Sequence, residues 1–200
     1  LERLIGVASL IFVPMMVGMA CVSQAFVLSL FGENWTQSIV PLAVMSLSMI
    51  LRMITIFHKT VIVSVGRADV SLALSVLQLA ILLPCTFIAI DYGATGLAIA
   101  WATTEFVIMI TTVHAGKRLR FTSFTRLLRA LRPALASSLV MAVSVLAIAH
   151  LLTDQNDLLD LIAQSLVGAV AYLLVVRFYF LDELQVALKV LFGQRFLMKA

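Results

Sequence analysis

Six apolar stretches occupy most of this 200-residue chain: Leu4–Leu30, Ile39–Val65, Val70–Ile90, Gly96–Val113, Pro133–Leu152 and Leu158–Phe180. A helix needs about 17–25 residues to cross the hydrocarbon of a bilayer, and each stretch has that length or slightly more. Composition agrees: 62% of residues are hydrophobic, 12% are charged and the mean hydropathy is +1.12. A soluble domain carries roughly a quarter of its residues as charges. The fold class that follows is all-α, a polytopic membrane protein with six transmembrane helices. In the long first stretch, Pro14 and Gly18 mark the expected kink.

If the six spans alternate in direction, the basic residues fall on one side. The chain has 14 Lys and Arg; setting aside Arg52 and Lys59, the other twelve lie in the termini or in the turns of a single face. The opposite turns, Phe31–Ser38, Asp91–Thr95 and Thr153–Asp157, contain no Lys or Arg. The positive-inside rule makes the basic face cytoplasmic and puts both ends of the segment there. The pI near 9.4 arises from this face and suits anionic membrane lipids, with no need to invoke nucleic acid. The chain opens on Leu1-Glu2-Arg3 without an initiating Met or a cleavable leader, which suggests a piece of a longer protein.

Arg52 and Lys59 are the two cations that escape this segregation, and both lie inside the second stretch. A cation near the bilayer centre costs about 2.5–3.5 kcal/mol on insertion scales, so it faces a partner or a wet cavity. Ser48, Arg52, Thr55 and Lys59 are spaced by three and four residues, which places them on one stripe of a helix. Two readings follow: a polar pathway for an anionic cargo, or a buried ion pair that fixes helix packing. The third stretch adds Gln78, with Ser71 and Ser75 on its face, and the fourth adds Glu105 near its middle. Glu105 is a candidate counter-charge for Arg52 or Lys59, or else a proton- or cation-coupling carboxylate. The last two stretches have no ionisable residue at their centres, so the chemistry is expected in the first four and a lipid-facing role in the final pair.

His58, His114 and His150 lack neighbours at metal-ligand spacing and read as packed or interfacial histidines. Cys21 and Cys85 read as small buried hydrophobes, and Met15, Met16, Met45, Met49 and Met53 as adaptable packing. Phe31, Trp35 and Tyr92 sit where an interfacial aromatic belt is expected. No nucleophile elbow, phosphate-cradling loop or metal motif occurs, so neither a cofactor nor an enzymatic activity is expected.

The organisation expected from these features is four helices over 1–114, a basic amphipathic loop over 115–132, two accessory helices over 133–180 and a basic tail over 181–200. Within the loop, Phe124, Leu127, Leu128 and Leu131 share a helical face flanked by Arg126, Arg129 and Arg132. Such a helix would lie along the interface and turn into the membrane at Pro133. A second amphipathic segment is expected over 182–192.

Several short motifs, in this order, resemble one transporter family. They are Phe12-Val13-Pro14 with Gly18, Leu30-Phe31-Gly32-Glu33-Asn34-Trp35, Val65-Gly66-Arg67-Ala68-Asp69, Gly93-Ala94-Thr95-Gly96-Leu97-Ala98-Ile99-Ala100, and Arg132-Pro133-Ala134 followed by Val140-Met141-Ala142. Together with the basic tail they resemble the ninth span onward of bacterial lipopolysaccharide and exopolysaccharide flippases. These form the polysaccharide branch of the multidrug/oligosaccharidyl-lipid/polysaccharide exporter superfamily. The resemblance implies the C-terminal part of a MATE-like two-lobe transporter, its N-terminal lobe lying elsewhere in the same chain. It also implies alternating access and an undecaprenyl-pyrophosphate-linked oligosaccharide as cargo, in the bacterial inner membrane.

The resemblance does not fix Arg52 and Lys59 as substrate ligands; that assignment rests on their depth and spacing. A multidrug/cation antiporter of the same superfamily would want carboxylates in its cavity, whereas here two mid-span cations outnumber one acid. A membrane-embedded polysaccharide polymerase or ligase would want a large outer loop, whereas these outer turns are short. A purely structural membrane subunit would tolerate neutral residues at 52 and 59.

Overall fold

The computed structural model describes residues 2–119, 124–151 and 157–179, and all its regular structure there is helical. Helix α1 spans Glu2–Cys21, α2 Ser23–Phe31, α3 Ile39–Ser64, α4 Ala68–Ala89, α5 Gly93–Arg118, α6 Phe124–Leu151 and α7 Asp157–Tyr179. Short 3₁₀ turns, Glu33–Ser38 and Ile90–Tyr92, precede α3 and α5. The segment expected as an amphipathic helix over 182–192 lies outside the described residues.

Four helical stretches among the described residues are long and apolar enough to cross a membrane: Glu33–Ser64, Ala68–Arg118, Leu127–His150 and Leu158–Phe178. The bent pair α1–α2 makes a fifth if it is one span. Large apolar side chains point outward, with Phe87, Ile88 and Phe178 more than 70% exposed, so the helices offer lipid the surface that a soluble protein hides. The stretch Ala68–Arg118 is not one rod. Its 51 residues would reach about 77 Å, well over twice the hydrocarbon thickness. It folds back on itself, since Gln78 of α4 hydrogen-bonds Glu105 of α5. The reversal uses Gly93 at φ +65. Gly96 lets the start of α5 press on the end of α4: a Cβ there would lie 2.6 Å from the Ala89 carbonyl oxygen.

The first span bends, but not where Pro14 and Gly18 suggested. The axis turns by 66° between α1 and α2. Val22 sits at the joint with φ −89 and ψ 4, in the bridge region, and its N–H still reaches the Gly18 carbonyl. Pro14 stays inside α1. It leaves the Leu10 carbonyl without its helical donor, and the Tyr172 hydroxyl of α7 donates to that oxygen instead. A tertiary hydrogen bond thus replaces the one that proline removes.

The expected turn into the membrane at Pro133 is absent. Helix α6 runs without interruption from Phe124 to Leu151 and contains Pro133. Leu127 and Leu131 are buried in one apolar cluster with Ile5 of α1, Met53 and Ile54 of α3 and Met109 of α5, whereas Leu128 is half exposed. Burial of that face extends the helix through the proline and onto the bundle. Helix α6 packs along α1, α7 packs on α6 and α2, and Gln164 of α7 is buried. Helices α3, α4 and α5 form a second layer, joined to the first along the seam between α1 and α3.

Candidate functional site

Arg52 lies thirteen residues from the start of α3, Gln78 ten from the start of α4 and Glu105 twelve from the start of α5, each at about the midpoint of its helix. At equal depth on adjacent helices, these side chains meet. Arg52 Nη1 approaches Glu105 Oε1 at 2.7 Å. Gln78 Nε2 donates to the same oxygen at 3.0 Å. The other end of the amide, Gln78 Oε1, accepts from Lys59 Nζ at 3.2 Å. Lys59 also donates to Ser75 Oγ at 3.3 Å. One chain of hydrogen bonds therefore runs Arg52–Glu105–Gln78–Lys59–Ser75 across three helices.

Burial along this chain is uneven. The Glu105 side chain is 1% exposed, whereas that of Arg52 is 37% exposed. Glu105 Oε2 is buried with no hydrogen-bond partner, so both donors crowd onto one carboxylate oxygen. The Arg52 guanidinium lies 5.3 Å from the centre of the Trp101 ring, within cation–π range. Trp101 precedes Glu105 by four residues, so α5 presents a ring and a carboxylate on one face to the same arginine. Trp101 carries no charge to mark it in the sequence, but its four-residue spacing from Glu105 places it by the same rule that groups Arg52 with Lys59.

Ser48 and Thr55 share the stripe but not the network. Both are 3% exposed, and their hydroxyls donate to backbone oxygens of their own helix, Ser48 to Met45 at 2.8 Å and Thr55 to Leu51 at 3.2 Å. A short hydroxyl satisfies itself locally, while a long side chain reaches the neighbouring helix. His58 is fully buried, with Nδ1 2.8 Å from the Ile54 carbonyl. Among the described residues no three His, Cys, Asp or Glu side chains gather as a metal site.

The formal charge of the cluster is +1, from Arg52 and Lys59 against Glu105. The carboxylate is taken directly by Arg52, and Lys59 is held by two neutral groups. The second ion pair among the described residues, Arg67 with Asp69 at 3.0 Å, lies at the exposed turn between α3 and α4.

No protein-family model matches the chain, and no solved structure matches it. The teichuronic acid biosynthesis protein TuaB of Bacillus subtilis (strain 168) is 33% identical to it over 63 residues. That match covers 32% of this chain and 13% of the length of TuaB.

Proposed function

We propose that this chain is part of a polysaccharide-precursor flippase of the bacterial inner membrane. It moves a lipid-linked oligosaccharide carried on an anionic (pyro)phosphate, of the undecaprenyl-pyrophosphate type, by alternating access. In this reading α1–α2, α3, α4, α5, α6 and α7 make six crossings, the turn holding Arg67 is cytoplasmic, and an N-terminal lobe of the same chain closes the cavity. The basic ends of the helices rest on anionic lipid. The partial likeness to a teichuronic acid biosynthesis protein supports a polysaccharide-related role, and the helix lengths support a membrane one.

The observation that carries the reading is the surplus positive charge of the cluster that joins α3, α4 and α5. Arg52 is already neutralised by Glu105, and Lys59 is not. A phosphate headgroup crossing hydrocarbon needs such a cation, and an inside-negative cell favours its exit by about 2.3 kcal/mol per charge per 100 mV. The multidrug/cation antiporter reading is weaker, because Arg52 occupies Glu105, the carboxylate that a cationic drug would need. The test is complementation of an export-deficient strain with the full-length protein. Lys59→Gln should lower surface polysaccharide while membrane insertion is kept, and Lys59→Arg should restore much of it. Normal export by Lys59→Gln would overturn the reading.

A further inference from the structure

Lys59 points inward, and Gln78 is what it points to. The turn at Gly66 gives a common reference for the antiparallel helices α3 and α4. With about 1.5 Å per residue, Lys59 lies roughly 10 Å above that turn, Ser75 roughly 13 Å and Gln78 roughly 18 Å. The ammonium that reaches Gln78 Oε1 at 3.2 Å is therefore directed toward the membrane centre, away from the nearer interface. An unanchored lysine this close to a helix end does the opposite, turning its four-carbon stem outward to place its charge among headgroups.

The Gln78 amide is suited to resist that escape. Its nitrogen donates to Glu105 Oε1 at 3.0 Å while its oxygen faces Lys59. A flipped amide would set oxygen against carboxylate and NH₂ against ammonium, so the charges at the two ends fix its orientation. Glu105 is in turn fixed by Arg52. Ser75 alone is a weaker anchor, since it is exposed and water competes for the ammonium at its hydroxyl.

We propose that Gln78 is the positioning residue that holds the Lys59 ammonium at mid-membrane depth, by bridging it to the Arg52–Glu105 pair. Its importance for export rests on the flippase reading above; its effect on Lys59 does not.

The experiment is site-resolved lysine labelling of the full-length protein in inverted membrane vesicles. A membrane-impermeant amine reagent is used, with Lys117 as the internal reference. In the native protein Lys59 should react far less than Lys117. Gln78→Leu removes both hydrogen bonds and should raise Lys59 labelling about tenfold or more, the equivalent of one hydrogen bond to a charged group. Gln78→Asn, one methylene shorter, spans only one of the two partners and should give an intermediate rise; it serves if the Leu variant does not fold. Ser75→Ala should raise labelling less than Gln78→Leu. Wild-type labelling in Gln78→Leu or Gln78→Asn would overturn the proposal, even if export fell. Raised labelling with undiminished export would uphold the positioning of Lys59 and contradict the flippase reading instead.

Discussion

Arg52 and Glu105 meet at 2.7 Å between the midpoints of α3 and α5, yet only Glu105 is fully buried. The two halves of this pair should therefore respond differently to substitution. Arg52→Gln strands a buried carboxylate and should cost about 3–5 kcal/mol, the range for removing one partner of a buried pair. Glu105→Gln keeps an acceptor for Gln78 and leaves Arg52 half exposed above Trp101, so about 1–2 kcal/mol is expected. Thermal unfolding of the detergent-solubilised full-length protein measures both. The double variant should be more stable than Arg52→Gln alone. The same substitution tests the role of Glu105 in export: a counter-charge predicts a mild defect in Glu105→Gln, a coupling carboxylate its loss.

Tyr172 and Pro14 form a second testable unit. Proline leaves the Leu10 carbonyl unbonded and the Tyr172 hydroxyl satisfies it. Tyr172→Phe should cost about 1–3 kcal/mol, the penalty for an orphaned buried acceptor. In a Pro14→Ala background the helix supplies its own donor to Leu10, so the Tyr172→Phe penalty should largely vanish. An equal penalty in both backgrounds would assign it to packing.

The α4–α5 reversal sets the register that brings Gln78 to Glu105. A Cβ at Gly96 would lie 2.6 Å from both the Ala89 carbonyl oxygen and Tyr92 Cβ, and a backbone oxygen gives way poorly. Gly96→Val should destabilise the protein by about 1–3 kcal/mol, as overpacking does. Gly18→Ala should be nearly neutral by the same melting measurement, since its new methyl would meet the flexible end of Met141 at 3.6 Å.

Sidedness is checked by cysteine labelling in intact cells. Asn34→Cys, in the exposed 3₁₀ turn before α3, should react with an impermeant thiol reagent from outside; Ala68→Cys, at the Arg67 turn, should not. Reaction at Ala68→Cys alone would invert the topology.

Much of this site is legible in the sequence because membrane helices are nearly regular. Position along an apolar stretch gives depth, so the residue numbers of Arg52, Gln78 and Glu105 already set them at one level. Spacing gives the helix face, which groups Arg52 with Lys59. What spacing does not give is the neighbour's distance. It does not say that Arg52, and not Lys59, takes the carboxylate, nor that Ser48 and Thr55 turn back onto their own backbone. The misplaced bends have a related cause. Pro14 and Pro133 look like breaks when read locally, but a tyrosine from α7 and the buried face of Leu127 and Leu131 outweigh them, and those contacts are remote in sequence.

The most direct test of the surplus-cation claim is flipping by the full-length protein reconstituted in proteoliposomes. Two fluorescent polyprenyl glycans are compared, one linked through pyrophosphate and one through a neutral ether. With a membrane potential imposed, the native protein should flip the pyrophosphate-linked lipid and not the neutral one. Lys59→Gln should slow that flipping about tenfold or more, the worth of one contact to a charged group, and Lys59→Arg should recover most of it. Equal flipping of both lipids, or full activity in Lys59→Gln, would contradict a cationic pathway through this site.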